Sequence, residues 1–223
     1  MQRRRTARSD TVRRGGPRSD TVRRGGPRSD TVQGAEVTRI VAGAAGGRRL
    51  RVPPRGTRPT SERVREALFN ALAARMDLDG ARVLDLYAGS GALGLEALSR
   101  GAGYVLMVES NARAAAIVRE NITVVGLAGA VVTTAPAAAV VAGTADGEYD
   151  IVMLDPPYAL EGDELTSVLT DLAAKGWVGE GSLVVVERAT RSPETVWPDG
   201  FEVERSRRYG DTRVEIACYG LQS

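Results

Sequence analysis

Residues 76–223 predict a doubly wound α/β domain on a mostly parallel sheet of seven strands, and three observations carry that prediction. Short, uniformly apolar runs (RVLDLY at 82–87, YVLMVE at 104–109, DIVMLD at 150–155, SLVVVE at 182–187) alternate with amphipathic segments of helical period. Strands apolar on both sides of the pleat belong to parallel sheets covered by helices on both faces. A glycine-rich turn, Gly89-x-Gly91-x-x-Gly94, joins the first of these strands to the helix after it. Last, FEVERSRRY (201–209) and TRVEIACY (212–219), joined by Gly210-Asp211, read as a closing antiparallel hairpin laid on that sheet.

The elements follow in order. Residues 1–36 contain a decapeptide repeat, RSDTVRRGGP at 8–17 and again at 18–27, then RSDTV at 28–32. So charged and glycine-rich a segment buries too little surface to fold, and it reads as a disordered basic tail rather than a fitted arm. Residues 37–75 form a small extension ahead of the main domain. VTRIVAG (37–43) and RRLRVP (48–53) predict a β-hairpin, residues 55–59 a loop, and a helix starts near Ser61 with Thr60 as N-cap. Val64, Ala67, Leu68, Ala71 and Leu72 make one apolar stripe on that helix. In the main domain, helices are expected over 92–100, 112–124 and about 164–175, with a short Ala-rich helix before residue 150 and a strand at 130–134.

Composition removes several chemistries. The chain has no histidine and one cysteine, Cys218, which excludes Cys/His zinc sites, histidine triads and histidine general bases. Cys218, in a strand-like run, is expected as a small buried apolar residue in a reducing cytoplasm. No apolar run approaches the roughly 20 residues that cross a bilayer. The Arg-rich N-terminus lacks the apolar stretch of a secretory signal. The net charge of +2 is uneven: residues 1–32 hold 10 Arg against 3 Asp, while residues 33–223 hold 20 basic against 25 acidic side chains.

The glycine-rich turn suits two cofactor classes, dinucleotides and S-adenosylmethionine. Asp85 separates them. A carboxylate four residues before the first glycine would repel a pyrophosphate at short range. S-adenosylmethionine has no phosphate, and its ammonium and sulfonium are cationic. The glycines then permit close backbone approach. Glu109, at the end of the second strand, can accept hydrogen bonds from ribose hydroxyls in either class.

IVMLDPPYAL (151–160) supplies the chemistry. Asp155 ends a strand predicted to lie beside the glycine-rich turn, and ligands gather at such strand ends. Pro157 pushes Pro156 toward an extended conformation. The Asp155 carboxylate and the Pro156 carbonyl become two acceptors on one rim, matching the two N–H donors of an exocyclic amine. Tyr158 offers a face on which a base stacks, worth ~1–3 kcal/mol. Positive charge that develops on the nitrogen during methyl transfer would be stabilised by Asp155.

Asp-Pro-Pro-Tyr together with LDLYAGSGALGLEALSRGA resembles the amino-methyltransferases. RIVAGAAGGRRLRVPPRGTRPTSERVREALFNAL and the closing RRYGDTRVEIACY resemble the bacterial 16S rRNA guanine-N2 methyltransferases known as RsmD, from about residue 38 to the end. The resemblance implies a Rossmann-like class I methyltransferase. It implies a monomeric, cytoplasmic enzyme that methylates N2 of a guanine in 16S rRNA of the small subunit or an assembly intermediate, with S-adenosylmethionine and no metal. By position, Asp155, Pro156, Pro157 and Tyr158 take the catalytic motif. Asp85, Tyr87, Ala88, Gly89, Gly91 and Glu109 take the cofactor motifs. The polar adenine contact expected after the third strand falls at Ala135, followed by Pro136, which leaves Thr134 as the candidate.

An RNA partner has support in the residues themselves. Residues 33–65 hold eight arginines, of which Arg39, Arg48, Arg49, Arg51, Arg58 and Arg63 are the RNA-contact candidates; Arg55 and Arg65 complete the set. Arg205, Arg207, Arg208 and Arg213 add to it from the last hairpin. Competing readings are a DNA adenine-N6 methyltransferase, for which about 45 residues ahead of the cofactor domain leave little target-recognition region, and a non-catalytic ribosome-binding protein, which Asp155 and Tyr158 speak against. An NAD oxidoreductase conflicts with Asp85.

Overall fold

The computed structural model describes residues 37–54, 60–157 and 159–220. The repeat tail, residues 55–59 (with Arg55 and Arg58) and Tyr158 lie outside the described residues. The elements are β1 (Val37–Arg39), β2 (Arg49–Arg51), α1 (Glu62–Ala73), β3 (Arg82–Leu86), α2 (Ala92–Ser99), β4 (Tyr104–Val108), α3 (Ala112–Val125), β5 (Ala130–Thr133), α4 (Ala137–Val141), β6 (Ile151–Leu154), α5 (Gly162–Ala174), β7 (Leu183–Ala189), β8 (Phe201–Tyr209) and β9 (Thr212–Tyr219).

Seven strands make one sheet in the order β5-β4-β3-β6-β7-β9-β8. The first five are parallel; β9 runs antiparallel to β7, and β8, at the edge, antiparallel to β9. The chain winds outward from β3 to β5, then returns to the other side of β3 with β6, so the switch point lies between β3 and β6. The alternating pleat divides the strands between two cores. Val83, Val105, Met107, Ile151, Met153 and Val185 face one; Leu84, Leu86, Val108, Val152, Leu154, Val184 and Val186 face the other. This is why the runs read as continuously apolar: each side of the pleat meets its own helix layer.

The extension packs into the first core, where Ile40, Leu50, Leu68, Phe69 and Leu72 join the residues of β3 and β4. Its hairpin is shorter than expected, three residues per strand. The connecting loop instead bonds to α2. Glu96, fully buried, accepts the N–H groups of Val41 and Ala42 at 2.7 and 3.0 Å and the Nε of Arg100 at 2.8 Å. Ser99 Oγ accepts from Ala45 N at 2.9 Å and donates to Ala42 O. A Cβ on Gly43, at φ +83°, would lie 1.8 Å from the Ser99 carbonyl oxygen, so the loop backbone can touch the helix only without a side chain there. Arg65 is also fully buried, donating to Thr38 Oγ1 at 2.7 Å and Arg39 O at 2.8 Å.

Two readings are corrected here. The N-cap of α1 is Ser61, whose hydroxyl accepts from Val64 N at 3.3 Å, and Thr60 turns inward. Arg65 and Arg213 are core residues rather than parts of a basic surface, at 0% and 3% exposure. Arg213 donates to the carbonyls of Ser192 and Pro193.

Candidate active site

Parallel register aligns Thr133, Val108, Leu86, Leu154 and Val186 across the sheet. The residues that follow them, Thr134, Glu109, Tyr87, Asp155 and Glu187, therefore stand in one row at its carboxyl edge, with neighbouring strands about 4.8 Å apart. Three of the five are acids. A cavity of about 680 Å³ opens on this row, lined by Tyr87, Gly89, Glu109, Asp155 and Pro157 from the strand ends, and by Pro53 and Pro54 from the chain leaving β2. That is the size of an ordinary small-molecule site.

The glycine-rich turn folds tightly, with Ala88 N donating to Val108 O and Gly91 N to Ala88 O. Gly89 and Gly91 are left-handed, at φ 57° and 76°, and Tyr87 shares that region at φ 65°. A left-handed tyrosine is strained and needs its surroundings to hold it there. Tyr87 packs against the second core, and burial, with the Glu164 carboxylate nearby, pushes its hydroxyl up to about 12. The third glycine has a different purpose. A Cβ on Gly94 would lie 2.8 Å from Met107 Cγ and 2.9 Å from Val105 Cγ1, so α2 reaches β4 only with hydrogen at that position.

Glu109 is buried, and its two oxygens accept Gly89 N at 2.8 Å and Asn111 N at 2.7 Å. It thereby ties the turn after β3 to the turn after β4. A carboxylate has about four lone-pair sites, so two acceptor positions remain at the cavity wall. Asp85 lies one pleat deeper, behind the turn rather than on the cavity lining, at 1% exposure. Its Oδ2 accepts Gly94 N at 2.9 Å, and its buried Oδ1 has no partner among the described residues. Burial first, and the charge of Glu109 after it, raise its carboxyl to about 7.

Asp155 lines the cavity and meets two groups from behind. Thr60 Oγ1 lies 3.4 Å from Asp155 Oδ2 and 2.8 Å from Glu187 Oε2. Burial, then the carboxylates of Glu187 and Asp85, hold the Asp155 carboxyl well above the ordinary carboxylate range. Burial raises Glu187 as well. The loop after Asp155 is pinned by Arg188, which donates to Leu160 O at 2.9 Å, and by Leu160 N, which donates to Pro157 O. Pro156 is buried, and Tyr158 lies outside the described residues.

Thr134 faces away from this arrangement: it is exposed, takes a hydrogen bond from Arg119 at 2.9 Å, and is absent from the cavity lining. Pro136, Ala137 and Ala138 form that part of the wall. Among the arginines, Arg39 pairs with Glu62 at 2.8 Å and Arg51 with Glu120, and Arg48 donates to the carbonyls of Val124 and Val125 at the end of α3. Arg49 and Arg63 are exposed, and Arg58 lies outside the described residues.

Four buried polar positions were not singled out as candidate site residues from sequence: Glu96, Asn121, Thr60 and Glu187. Glu96 was visible as a lone acid in an otherwise apolar helix. Asn121 was visible as an amide on the apolar stripe Ala114, Val118, Val125. Its Nδ2 donates to Ser90 O at 2.8 Å and Arg51 O at 2.9 Å, and its Oδ1 accepts Arg51 N, which fixes the chain leading to Pro53 and Pro54 against the glycine-rich turn. Glu187 was visible as a strand-end acid like Glu109 and Asp155. Thr60 gave no signal, because a threonine before a helix reads first as a cap.

Residues 38–218 match the family described as Conserved hypothetical protein 95. The ribosomal RNA small subunit methyltransferase D of Escherichia coli strain K12 is 34% identical over 186 residues, covering 82% of this chain and 90% of that protein. Its namesake from Haemophilus influenzae is 30% identical over 176 residues, covering 77% and 89%. Among solved structures, the Escherichia coli yhhF protein superposes with a TM-score of 0.74 at 31% identity, covering 84% of this chain and 100% of that one. Magnesium protoporphyrin IX methyltransferase from Synechocystis, solved with bound SAM, shares the fold at a TM-score of 0.56 and 18% identity, covering 70% and 78%.

Proposed function

The chain belongs to the Conserved hypothetical protein 95 family, the RsmD-type methyltransferases, and on that premise we propose that it methylates rRNA of the small ribosomal subunit. In the finer reading, the methyl group comes from S-adenosylmethionine and goes to the exocyclic N2 amine of a guanine. One observation carries this reading: the Glu109–Gly89 hook and the Asp155 rim line the same 680 Å³ cavity, so a nucleoside held on one side faces an acceptor on the other.

The residues present suit that cofactor. Gly89, left-handed and on the cavity wall, allows backbone approach, and the remaining lone pairs of Glu109 suit ribose hydroxyls. The unpartnered Oδ1 of Asp85 behind the turn provides negative potential toward a cationic group. When bound, S-adenosylmethionine supplies an already activated methyl group. The protein's part is then placement: Asp155 and the Pro156 carbonyl accept the two N–H donors of the amine and aim its lone pair, while Tyr158, at the end of the same motif, supplies a ring for the flipped base. A carboxyl whose proton affinity is raised is suited to take the proton that the amine loses after methylation.

RNA would approach over the face that carries Arg49 and Arg63, with cytoplasmic small-subunit rRNA as the partner and one protein molecule per target. Among the described residues no helix is long and apolar enough to cross a membrane. The test is methyl transfer from labelled S-adenosylmethionine to unmodified small subunits, naked rRNA and DNA in parallel, with nucleoside analysis. N2-methylguanosine in the small-subunit rRNA is expected; label confined to DNA would overturn the proposal. Asp155→Ala should lower turnover at least about 10²-fold with cofactor binding retained, the scale of a lost acid–base group. Loss of cofactor binding in that variant would remove Asp155 from the amine side of the cavity.

A further inference from the structure

Asp155 is joined at its rear to a hydroxyl and a second carboxyl that do not line the cavity. Thr60 and Glu187 are both buried, at 9% exposure each, and Thr60 Oγ1 stands between Glu187 Oε2 at 2.8 Å and Asp155 Oδ2 at 3.4 Å. These groups come from three places, the residue before the cap of α1, the end of β6 and β7, and the row at the sheet edge brings the two acids side by side. A hydroxyl has one proton to give and can accept another in return. Between two carboxyls it can therefore donate to one while accepting from the other, which makes it a bridge for a proton. The shorter contact marks Glu187 as the acceptor of the Thr60 proton.

We propose that Asp155, Thr60 and Glu187 form a proton relay, in which the proton displaced from the methylated amine passes from Asp155 through the Thr60 hydroxyl to Glu187. The inference rests on the reading of Asp155 as the amine-side acceptor. The nitrogen–carbon bond forms as the sulfur–carbon bond breaks, and the sulfur keeps that electron pair. The amine nitrogen, now positive, gives one proton to Asp155. Asp155 Oδ2 passes a proton to Thr60 Oγ1 as Thr60 passes its own to Glu187 Oε2. Asp155 is again an anion, now accepting from Thr60, and Glu187 is neutral. Thr60 and Glu187 are positioning residues: they act through Asp155. Mutual repulsion and burial favour a captured proton in this pair, and Asp85 on β3 adds to the repulsion at Asp155.

The test separates hydroxyl from shape. Thr60→Val keeps the shape and loses the hydroxyl, while Thr60→Ser keeps the hydroxyl and loses the methyl. Methyl transfer to small-subunit rRNA should fall about 10²-fold in kcat for Thr60→Val and Glu187→Gln, the scale of a lost proton-transfer partner, with KM for S-adenosylmethionine within about 2-fold and with Thr60→Ser close to wild type. The acid limb of the kcat profile should move to lower pH in Glu187→Gln, because Asp155 loses a like charge. The second readout needs no substrate: carboxyl ¹³C NMR titration of the full chain, in which Asp155 and Glu187 should titrate as a linked pair and Asp155 should shift to lower pH in Glu187→Gln. Equal rates in Thr60→Val and wild type, Thr60→Ser as damaged as Thr60→Val, or independent titration would each overturn the relay. Linked titration in a wild-type protein that transfers no methyl group to rRNA would instead overturn the proposed function and leave the proton bridge standing.

Discussion

Replacing Asp85 by Asn tests how the fold holds an acid beneath the glycine-rich turn. Asp85 is 1% exposed, and burial raises its carboxyl from 3.8 to about 7. The sign follows from linkage. Below pH 3.8 the group is protonated in both folded and unfolded chains and costs nothing. As pH rises from there to about 7, the unfolded chain loses the proton while the fold keeps it, so stability declines. Above that range the loss is complete, at about 4 kcal/mol for a difference of this size. Asn carries no such charge. Its carbonyl can still accept Gly94 N, but its amide occupies the place of the partnerless Oδ1, and a buried unsatisfied donor costs about 1–3 kcal/mol at every pH. Asp85→Asn should therefore be less stable than wild type near pH 4 by about 1–3 kcal/mol and more stable at pH 8 by a similar amount. The change between the two, about 4 kcal/mol, does not depend on the amide. Urea unfolding of the ligand-free protein at both pH values measures it. An equal effect of the substitution at pH 4 and pH 8 would refute the reasoning, because it would show that the folded protein ionises Asp85 at no cost.

Gly94→Ala sets two known terms against each other. Alanine favours the helix by about 1 kcal/mol, but the overpacking against Met107 and Val105 costs about 1–3 kcal/mol, so a net loss of about 1 kcal/mol is expected in urea unfolding. Glu96→Gln removes the charge facing buried Arg65 and one acceptor for the 41–42 backbone; about 3 kcal/mol should go, seen as a Tm lower by roughly 6–12 °C. Arg49→Glu with Arg63→Glu should leave stability within about 0.5 kcal/mol, since both side chains are exposed, while weakening rRNA binding and flattening its dependence on log salt in filter binding.

What the sequence made legible depends on the range of the interaction responsible. The central sheet was legible because the apolar runs of β3, β4, β6 and β7 report burial on both faces, a local signal, while the closing hairpin was legible from its turn; β8 and β9 run over 201–209 and 212–219 as read. The glycine-rich turn, Glu109 and Asp155 were legible because strand ends in a parallel sheet converge whatever the order of the strands. Thr60 was misread because its partners, Asp155 and Glu187, are 95 and 127 residues away. The basic cluster was overread for a related reason. Arg65 looks like its exposed neighbours until the helix phase places it on the stripe of Val64, Leu68 and Phe69, facing Glu96. The hairpin was read too long for the same cause: residues 41–45 have the composition of a strand end, yet the N–H groups of Val41, Ala42, Ala44 and Ala45 are taken by Glu96 and Ser99 on another element.

The row at the sheet edge explains why such a fold tolerates so many buried acids. Asp85, Asp155 and Glu187 all hold protons more tightly than free carboxyls, and in each case burial is the first cause. Each is a standing loss of stability near neutral pH, and a core built for stability alone would replace them with apolar residues of similar volume. Nothing in the sheet requires acids there: Leu86, Val108 and Leu154, one step back in the same strands, are apolar and fully buried or nearly so. Glu96 and Glu215 are buried beside arginines, whereas these three stand at the edge where the cavity opens or, for Asp85, directly behind its turn. A ligand carrying positive charge, or a reaction that releases a proton, would offset the loss at this edge. The same argument orders the variants. Neutralising Asp85 should gain stability at pH 8 at the expense of cofactor affinity, whereas Glu96, buried beside Arg65 and Arg100 and bonded to the backbone, should yield a loss of stability at pH 8 when neutralised.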